Sequence, residues 1–188
     1  MSKLLFLGSA IAQLLTNNPA TLVVPGIGFM GAPAIVAQQT EQHWLEIGSK
    51  RYADKDYFGA IGAFTEGLKV RPTVMLLMSR SLAWTKIDNH DRAIADLNGA
   101  IAMEPNKGIL HTMRGSVYMR LGDKARATRD LSRGIQLQPD GMAYLSRGIM
   151  FMNFGDFTAA REDLNIAAQK FKGDDYFYNQ VMKLLASI

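Results

Sequence analysis

The sequence predicts an all-α fold, an α-solenoid of four helix-turn-helix units closed by a C-terminal capping helix. Three observations predict it. From residue 41 onward, small and large apolar residues recur at a period of 33 to 34 residues. Residues that cap helices recur at the same spacing, and residues 176–188 have the apolar pattern of an amphipathic helix.

Small residues occupy two positions of every unit, and a large apolar residue follows the second of them. The three sets are Gly48, Ser81, Gly115 and Gly148, then Ala60, Ala93, Ala127 and Ala160, then Phe64, Leu97, Leu131 and Leu164. Two antiparallel helices approach closely only where the residues in contact are small, and large side chains fill the space to the next pair. Since one unit alone leaves an apolar face bare, stacking of units supplies the core.

Capping residues mark the helix starts independently of the apolar pattern. Each second helix is expected to start after Asp56, Asn89, Asp123 or Asp156, and each later first helix after Thr73, Asn106 or Asp140. Side chains of these types accept hydrogen bonds from the unpaired amides of a first helical turn. The caps therefore support a helix-turn-helix in every unit.

The repeat also sets the domain boundaries. The predicted segments are residues 1–37 for a signal peptide or N-terminal apolar segment, 41–73, 74–106, 107–140 and 141–173 for the four units, and 174–188 for the capping helix. In the last segment Phe177, Val181, Leu184, Leu185 and Ile188 share one face. Such a helix covers the apolar surface that the last unit would otherwise expose.

One charge pair moves with the repeat. Units two to four carry an arginine just before the small residue and an aspartate sixteen residues later, whereas unit one has neither. We predict structural ion pairs between helices, within a unit or across to the next, with an anion site as the alternative. The residues are Arg80, Arg114, Arg147, Asp96, Asp130 and Asp163.

The N-terminal segment predicts export. Between Lys3 and Glu41 there is no charged side chain, and an apolar run follows Lys3. Small residues before Gln38 offer a cleavage site after Ala37, so we expect a signal peptide and a location in the periplasm or an equivalent lumen. The alternatives are an uncleaved membrane anchor formed by residues 20–37, or a tail with neither role.

Composition argues against catalysis and against nucleic-acid binding. There are no cysteines, and the three histidines lie at unrelated repeat positions without a carboxylate at metal-ligand spacing, so no metal or other cofactor is expected. The net charge of +4 is spread among acids rather than clustered on one face. A G-x-G-x-x-G match at residues 26–31 is followed by Pro33 instead of a helix start, which favours a chance match.

The repeat resembles the tetratricopeptide repeat family, whose pattern is W-x2-L-G-x2-Y, then A-x3-F, then P. The first unit carries it in Trp44, Ile47, Gly48, Tyr57, Ala60, Phe64 and Pro72, and the third in Tyr118, Gly122, Asp123, Ala127, Leu131 and Pro139. The fourth unit departs from it with Lys172 in place of the proline. The resemblance covers about residues 41–172 and implies a non-enzymatic scaffold that binds another protein or a peptide.

The resemblance also implies where a partner binds, because first helices line the concave face in that family. The corresponding exposed positions would form an apolar, methionine-rich groove suited to a peptide or helix. They are Met75, Met78, Leu82, Thr85, Ile109, Thr112, Met113, Ser116, Met119, Arg120, Met142, Leu145, Ile149, Met152 and Asn153. The alternatives are interior packing of the methionines, a homodimer that fills the groove with a second copy, or a membrane-tethered subunit of a larger complex.

Overall fold

The computed structural model describes residues 40–188, and this part of the chain contains nine helices and no strand. It divides into two compact units between Asn89 and His90. The first unit contains α1 (Glu41–Ala53), α2 (Tyr57–Val70) and α3 (Val74–Lys86). The second contains α4 (His90–Met103), α5 (Gly108–Arg120), α6 (Lys124–Leu137), α7 (Gly141–Asn153), α8 (Phe157–Lys170) and α9 (Asp175–Leu185).

The expected all-α repeat class is confirmed. Each of the four predicted repeat segments contains two helices, and connections of three or four residues join consecutive helices. Within each compact unit, connections this short make neighbouring helices antiparallel. The boundary between the compact units falls inside the predicted segment 74–106, after its first helix. The predicted signal peptide and the glycine motif at residues 26–31 lie outside the described residues.

In the first unit, a glycine lets α1 pack closely on α2. A Cβ atom added to Gly48 would lie 2.3 Å from Cε1 of Phe64, far inside contact distance. The Phe64 ring occupies that space and is itself buried, together with Ala60 and Leu76. The predicted role of the small residues, which is to admit a large neighbour, is therefore realised between α1 and α2.

The second unit repeats this packing twice. Added Cβ atoms would meet Leu131 Cγ at 2.8 Å from Gly115 and Leu164 Cγ at 3.0 Å from Gly148. Both leucines are completely buried. Helix α5 thereby packs on α6 and α7 on α8, while α4 contacts α5, α6 contacts α7, and the two first helices α5 and α7 contact each other.

Most predicted caps are present. The side chains of Asp56, Thr73, Asp123, Asp140 and Asp156 each accept a hydrogen bond from the backbone N–H three residues later. The expectation for Asn106 is wrong: α5 starts at Gly108 with Lys107 as its N-cap, and no side chain caps it. The connection before α5 is one residue longer than those before α3 and α7, which moves the helix start past the asparagine.

Four turns between paired helices have one geometry. In each, the N–H of the residue before the second helix donates to a carbonyl five residues back, over 2.9 to 3.0 Å. The residue before that donor has a positive φ, which is the Schellman arrangement that glycine accommodates best. The four residues are Lys55 (φ 65°), Asp88 (φ 58°), Gly122 (φ 75°) and Gly155 (φ 79°).

Helix α9 closes the chain as an amphipathic helix. Val181 is completely buried and Phe177 half-buried, whereas Asn179 and Lys183 are exposed. The helix packs on α8, and the Phe177 ring stacks on Phe171 with centroids 4.9 Å apart. This arrangement matches the predicted capping helix.

Candidate functional site

Two of the three predicted ion pairs are present, and each joins the two helices of its own hairpin. Arg114 on α5 donates from Nε to Asp130 Oδ2 over 2.6 Å and from Nη2 to Oδ1 over 2.9 Å. Arg147 on α7 makes the same two bonds to Asp163 on α8, over 2.7 and 2.9 Å. Both aspartates are buried, so each carboxylate depends on its arginine for a partner.

Each arginine also reaches the preceding second helix with its remaining Nη1 group. Arg114 donates to Asn98 Oδ1 on α4 over 2.7 Å, and Arg147 donates to Ser132 Oγ on α6 over 3.1 Å. One guanidinium therefore links three helices, because its planar fork presents several donors in fixed directions. The arginine contributes to stacking between repeats as well as to the hairpin.

The third predicted pair is divided between the two units. Arg80 belongs to the first unit, where its Nη1 donates to Thr65 Oγ1 on α2 over 3.0 Å, and Asp96 is buried in the second. The contact with Thr65 repeats what Arg114 and Arg147 make to their preceding helices. The pairing of Arg80 with Asp96 stays a prediction.

The bonds to aspartate dominate the electrostatics of these arginines. The hydrogen bonds to Asp130 raise the pKa of Arg114, and those to Asp163 raise the pKa of Arg147, in each case against the opposite effect of burial. A raised pKa means that the fold favours the charged guanidinium. These pairs are thus satisfied internally, which is what a structural role requires.

Sequence reasoning missed the polar residues that receive the third arginine bond. Thr65, Asn98 and Ser132 lie in register, 33 and 34 residues apart, and each is short and polar. This recurrence is itself a signal in the sequence, because a polar residue that recurs at one repeat position indicates a hydrogen-bond partner that recurs with it. The predicted aspartate partner accounts for only two of the donor groups of the arginine and leaves Nη1 for the recurring polar residue.

The structure divides the predicted groove residues into two groups. Six are buried: Met78, Thr112, Met113, Met119, Leu145 and Ile149. Met78 is 6% exposed and Met113 is 4% exposed. Buried side chains offer little surface to a partner. These six residues therefore contribute to packing, in agreement with the alternative of interior packing.

The remaining nine predicted positions have accessible surface. Leu82, Thr85, Ile109, Ser116, Arg120, Met142 and Met152 are half-buried, while Met75 and Asn153 are exposed. Met75, Leu82 and Thr85 lie on α3 of the first unit, and the other six lie on α5 and α7 of the second. Since α5 packs against α7, the second unit brings accessible residues of two first helices side by side.

The family follows from these observations together with sequence comparison. Residues 112–175, which span the hairpins of α5–α6 and α7–α8, match the tetratricopeptide repeat family model. Residues 112–175 of this chain are tetratricopeptide repeats. Proteins of this family are protein-interaction scaffolds and are generally non-catalytic.

Several curated relatives carry tetratricopeptide repeats within longer chains. The small glutamine-rich tetratricopeptide repeat-containing protein 2 of Saccharomyces cerevisiae is 37% identical over 76 residues, which cover 40% of this chain and 20% of that one. Tetratricopeptide repeat protein 13 of Homo sapiens is 28% identical over 142 residues, covering 68% of this chain and 16% of that one. The match thus spans a fifth or less of each of these two relatives.

Solved structures share the fold at low sequence identity. A chain of the APC/C hetero-tetramer Cut9–Hcn1 aligns with a TM-score of 0.67 at 19% identity, over 71% of this chain and 26% of that chain. A crystal structure of MamA protein aligns with a TM-score of 0.58 at 21% identity, over 77% and 87%. YrrB, described as a tetratricopeptide repeat protein with an unusual peptide-binding site, aligns with a TM-score of 0.60 at 16% identity, over 78% and 76%.

No helix of residues 40–188 has the length and apolar character needed to cross a membrane.

Proposed function

We propose that this tetratricopeptide repeat protein is a non-catalytic scaffold whose first helices α5 and α7 bind an apolar peptide or helix of another protein. The observation that carries the proposal is the row of accessible residues on these two helices. Ile109, Met142 and Met152 keep part of their apolar surface open to solvent although α5 and α7 pack together. The solved neighbour YrrB, a tetratricopeptide repeat protein with a peptide-binding site, supports peptide binding as a use of this fold.

The chemistry of the accessible side chains favours an apolar guest whose shape is not fixed. Methionine is unbranched and polarizable, so it adapts to different apolar partners at little cost. Half-buried Ser116 and Arg120, with exposed Asn153, add polar groups beside the apolar ones. A helix with one apolar face matches this combination, because its backbone polar groups are already paired.

Glutamates at two accessible methionines test the surface on α5 and α7. We expect a Met142→Glu plus Met152→Glu bait to lose the proteins that the native chain captures from an extract of its own cells. The matched control is Met103→Glu plus Met182→Glu, which alters methionines that are 49% and 42% exposed on α4 and α9. Circular dichroism verifies the fold of each bait, and recovery of the same proteins by all three would place the binding surface elsewhere.

We propose further that the protein is exported and assists the assembly or stability of its partner. The support is the uncharged, apolar segment after Lys3 and the small residues that precede Gln38. N-terminal sequencing of the protein from its native cells tests this. A chain that begins at Gln38 agrees with export, whereas a chain that retains Lys3 argues for a membrane-tethered subunit.

A self-associating protein is the remaining outcome. In that case a second copy of the chain occupies the surface on α5 and α7. Measurement of mass in solution distinguishes the two, since a partner-binding scaffold stays monomeric at micromolar concentration and the self-associating form does not.

A further inference from the structure

A cleft in the second unit has a different chemistry from the surface on α5 and α7. Its volume is about 470 Å³, and residues of α5 and α6 line it. The lining residues are His111, Arg114, Arg129, Asp130, Ser132, Arg133 and Gln136. It shares no residue with the accessible or buried groove positions, so it stands independently of the proposed function.

Positive charge in this cleft exceeds negative charge. Three arginines face one carboxylate, and Asp130 already accepts two hydrogen bonds from Arg114. Within residues 40–188, neither Arg129 nor Arg133 forms an ion pair, and the single hydrogen bond of Arg133 is a long one to Gln136 at 3.5 Å. Among the described residues, two guanidinium groups are therefore left without a counter-charge beside the cleft.

Helix geometry directs the two arginines to the same place. They are four residues apart on α6 and so lie on one face, with Ser132 and Gln136 adjacent on that face. A pair of guanidiniums at this spacing can grip an oxyanion from two sides, because each presents a planar fork of donors. Like charges at this spacing disfavour the helix unless an anion lies between them.

A buried polar atom in the wall of the cleft also lacks a partner. His111 is 8% exposed, and its Nε2 atom lies 3.0 Å from the Pro105 carbonyl oxygen, to which it donates because a carbonyl can only accept. Its Nδ1 atom has no hydrogen bond within the described part of the chain and lies 4.0 Å from Asp130 Oδ1. Buried polar atoms without a partner are rare in folded proteins. With its proton on Nε2, the Nδ1 atom can only accept a hydrogen bond, so an anion in the cleft is held by the arginines and not by His111.

We propose that this cleft is a site for a phosphate group, gripped by Arg129 and Arg133. The two unbalanced positive charges match a phosphate group, which carries close to two negative charges at neutral pH. The group belongs either to a small phosphorylated molecule or to a phosphorylated side chain of a bound protein. The recognising chemistry is the same in both cases.

The experiment titrates the full chain by calorimetry at constant ionic strength, which holds screening fixed. The probes are inorganic phosphate, a short neutral peptide with one phosphoserine, and the same peptide unphosphorylated. We expect saturable binding of both phosphorylated probes, and Arg129→Gln plus Arg133→Gln should weaken it at least about tenfold. Each single variant should have an intermediate effect.

The matched control is Lys170→Gln plus Lys172→Gln, which removes two positive charges from exposed positions outside the cleft. This variant should bind phosphate like the native chain. Tighter binding of the phosphopeptide than of phosphate assigns the group to a protein partner, and equal binding assigns it to a small molecule. Equal affinity in the native chain and the arginine variant, or no saturation at about 10 mM phosphate, would overturn the proposal.

Because Arg129 and Arg133 are exposed, their replacement leaves the core intact, and circular dichroism verifies this for each variant. If the arginine variant loses phosphate binding but still captures the same proteins as the native chain, the phosphate site is separate from the proposed protein-binding surface on α5 and α7.

Discussion

The Arg147 guanidinium holds both carboxylate oxygens of Asp163, with Nε 2.7 Å from Oδ2 and Nη2 2.9 Å from Oδ1. Arg114 and Asp130 have the same arrangement one repeat earlier, at 2.6 and 2.9 Å. In each pair the aspartate follows the arginine by sixteen residues, and the ion pair links the two helices of the hairpin. The link can be measured through stability.

We expect Asp163→Asn to lower the free energy of unfolding by about 2 kcal/mol, because it removes charged hydrogen bonds from a buried position. Urea denaturation followed by circular dichroism measures this. Glu162→Gln is the matched control, since Glu162 is the exposed neighbour on α8 and loses the same charge. It should change stability by less than about 0.5 kcal/mol. Equal effects of the two substitutions would mean that the bridge contributes nothing specific.

The close contact at Gly48 gives a second prediction. Gly48→Ala places a methyl group against the Phe64 ring, and we expect a loss of about 1–3 kcal/mol in stability. Gly62→Ala on α2 is the control, because nothing lies within 4 Å of its added Cβ. There the helix should gain about 0.5–1 kcal/mol, since alanine is the better helix former. Thermal and urea unfolding of both variants decide the matter, and a stabilised Gly48→Ala chain would contradict the packing described here.

The four equivalent turns give a third prediction. Lys55 has a φ of 65° in a turn where Gly122 and Gly155 stand in other repeats. We expect Lys55→Gly to stabilise the protein by roughly 0.5–1 kcal/mol, because a left-handed backbone is costly for residues with a Cβ. Gly122→Ala should destabilise by a similar amount, about 1 kcal/mol, although space around it is open. Opposite signs in urea denaturation are the expected result, and equal signs would exclude backbone strain as the cause.

A fourth prediction concerns acid. The backbone N–H of Arg126, followed by the Arg126 side chain, lowers the pKa of Asp123 below its ordinary value of 3.8. A lowered pKa contributes stability that is present above the ordinary value and is lost as pH falls through the folded value. Asp123→Asn keeps the cap but removes the charge, so it should be less stable than the native chain at neutral pH. Urea titrations should show the difference shrinking as the pH falls below 3.8, and a difference that stays unchanged in acid would rule out the charge as its source.

Much of the fold could be predicted from residue spacing, because the packing of repeated helices constrains residue size at the same position of each repeat. Gly48, Gly115 and Gly148 lie where a side chain would collide with Phe64, Leu131 and Leu164, and the same spacing relates the three pairs. The cap at Asn106 failed for a local reason. One added residue in the connection before α5 changes where the helix starts without changing which residues look suitable as caps.

The binding surface was harder to read, because methionine suits both a core and a ligand surface. Met78 and Met75 both lie on α3, yet the first is 6% exposed and the second is 39% exposed. Their helical spacing alone does not say which one faces a neighbouring helix. That depends on how adjacent helices cross, which only the packed structure specifies. The sequence shows that Arg129 and Arg133 are four residues apart on one helix, but it does not show the cleft beside them, which depends on how α5 and α6 pack.

The third bond of each arginine bears on how such a chain can grow. Thr65, Asn98 and Ser132 differ in type, yet each satisfies the arginine that follows. The contact between consecutive repeats therefore requires only a short side chain with an oxygen atom that accepts the hydrogen bond, and several residue types meet that requirement. Duplication or loss of any one of units two to four would keep an arginine after each short polar residue, so evolution could change the number of these units without redesigning the contacts between them.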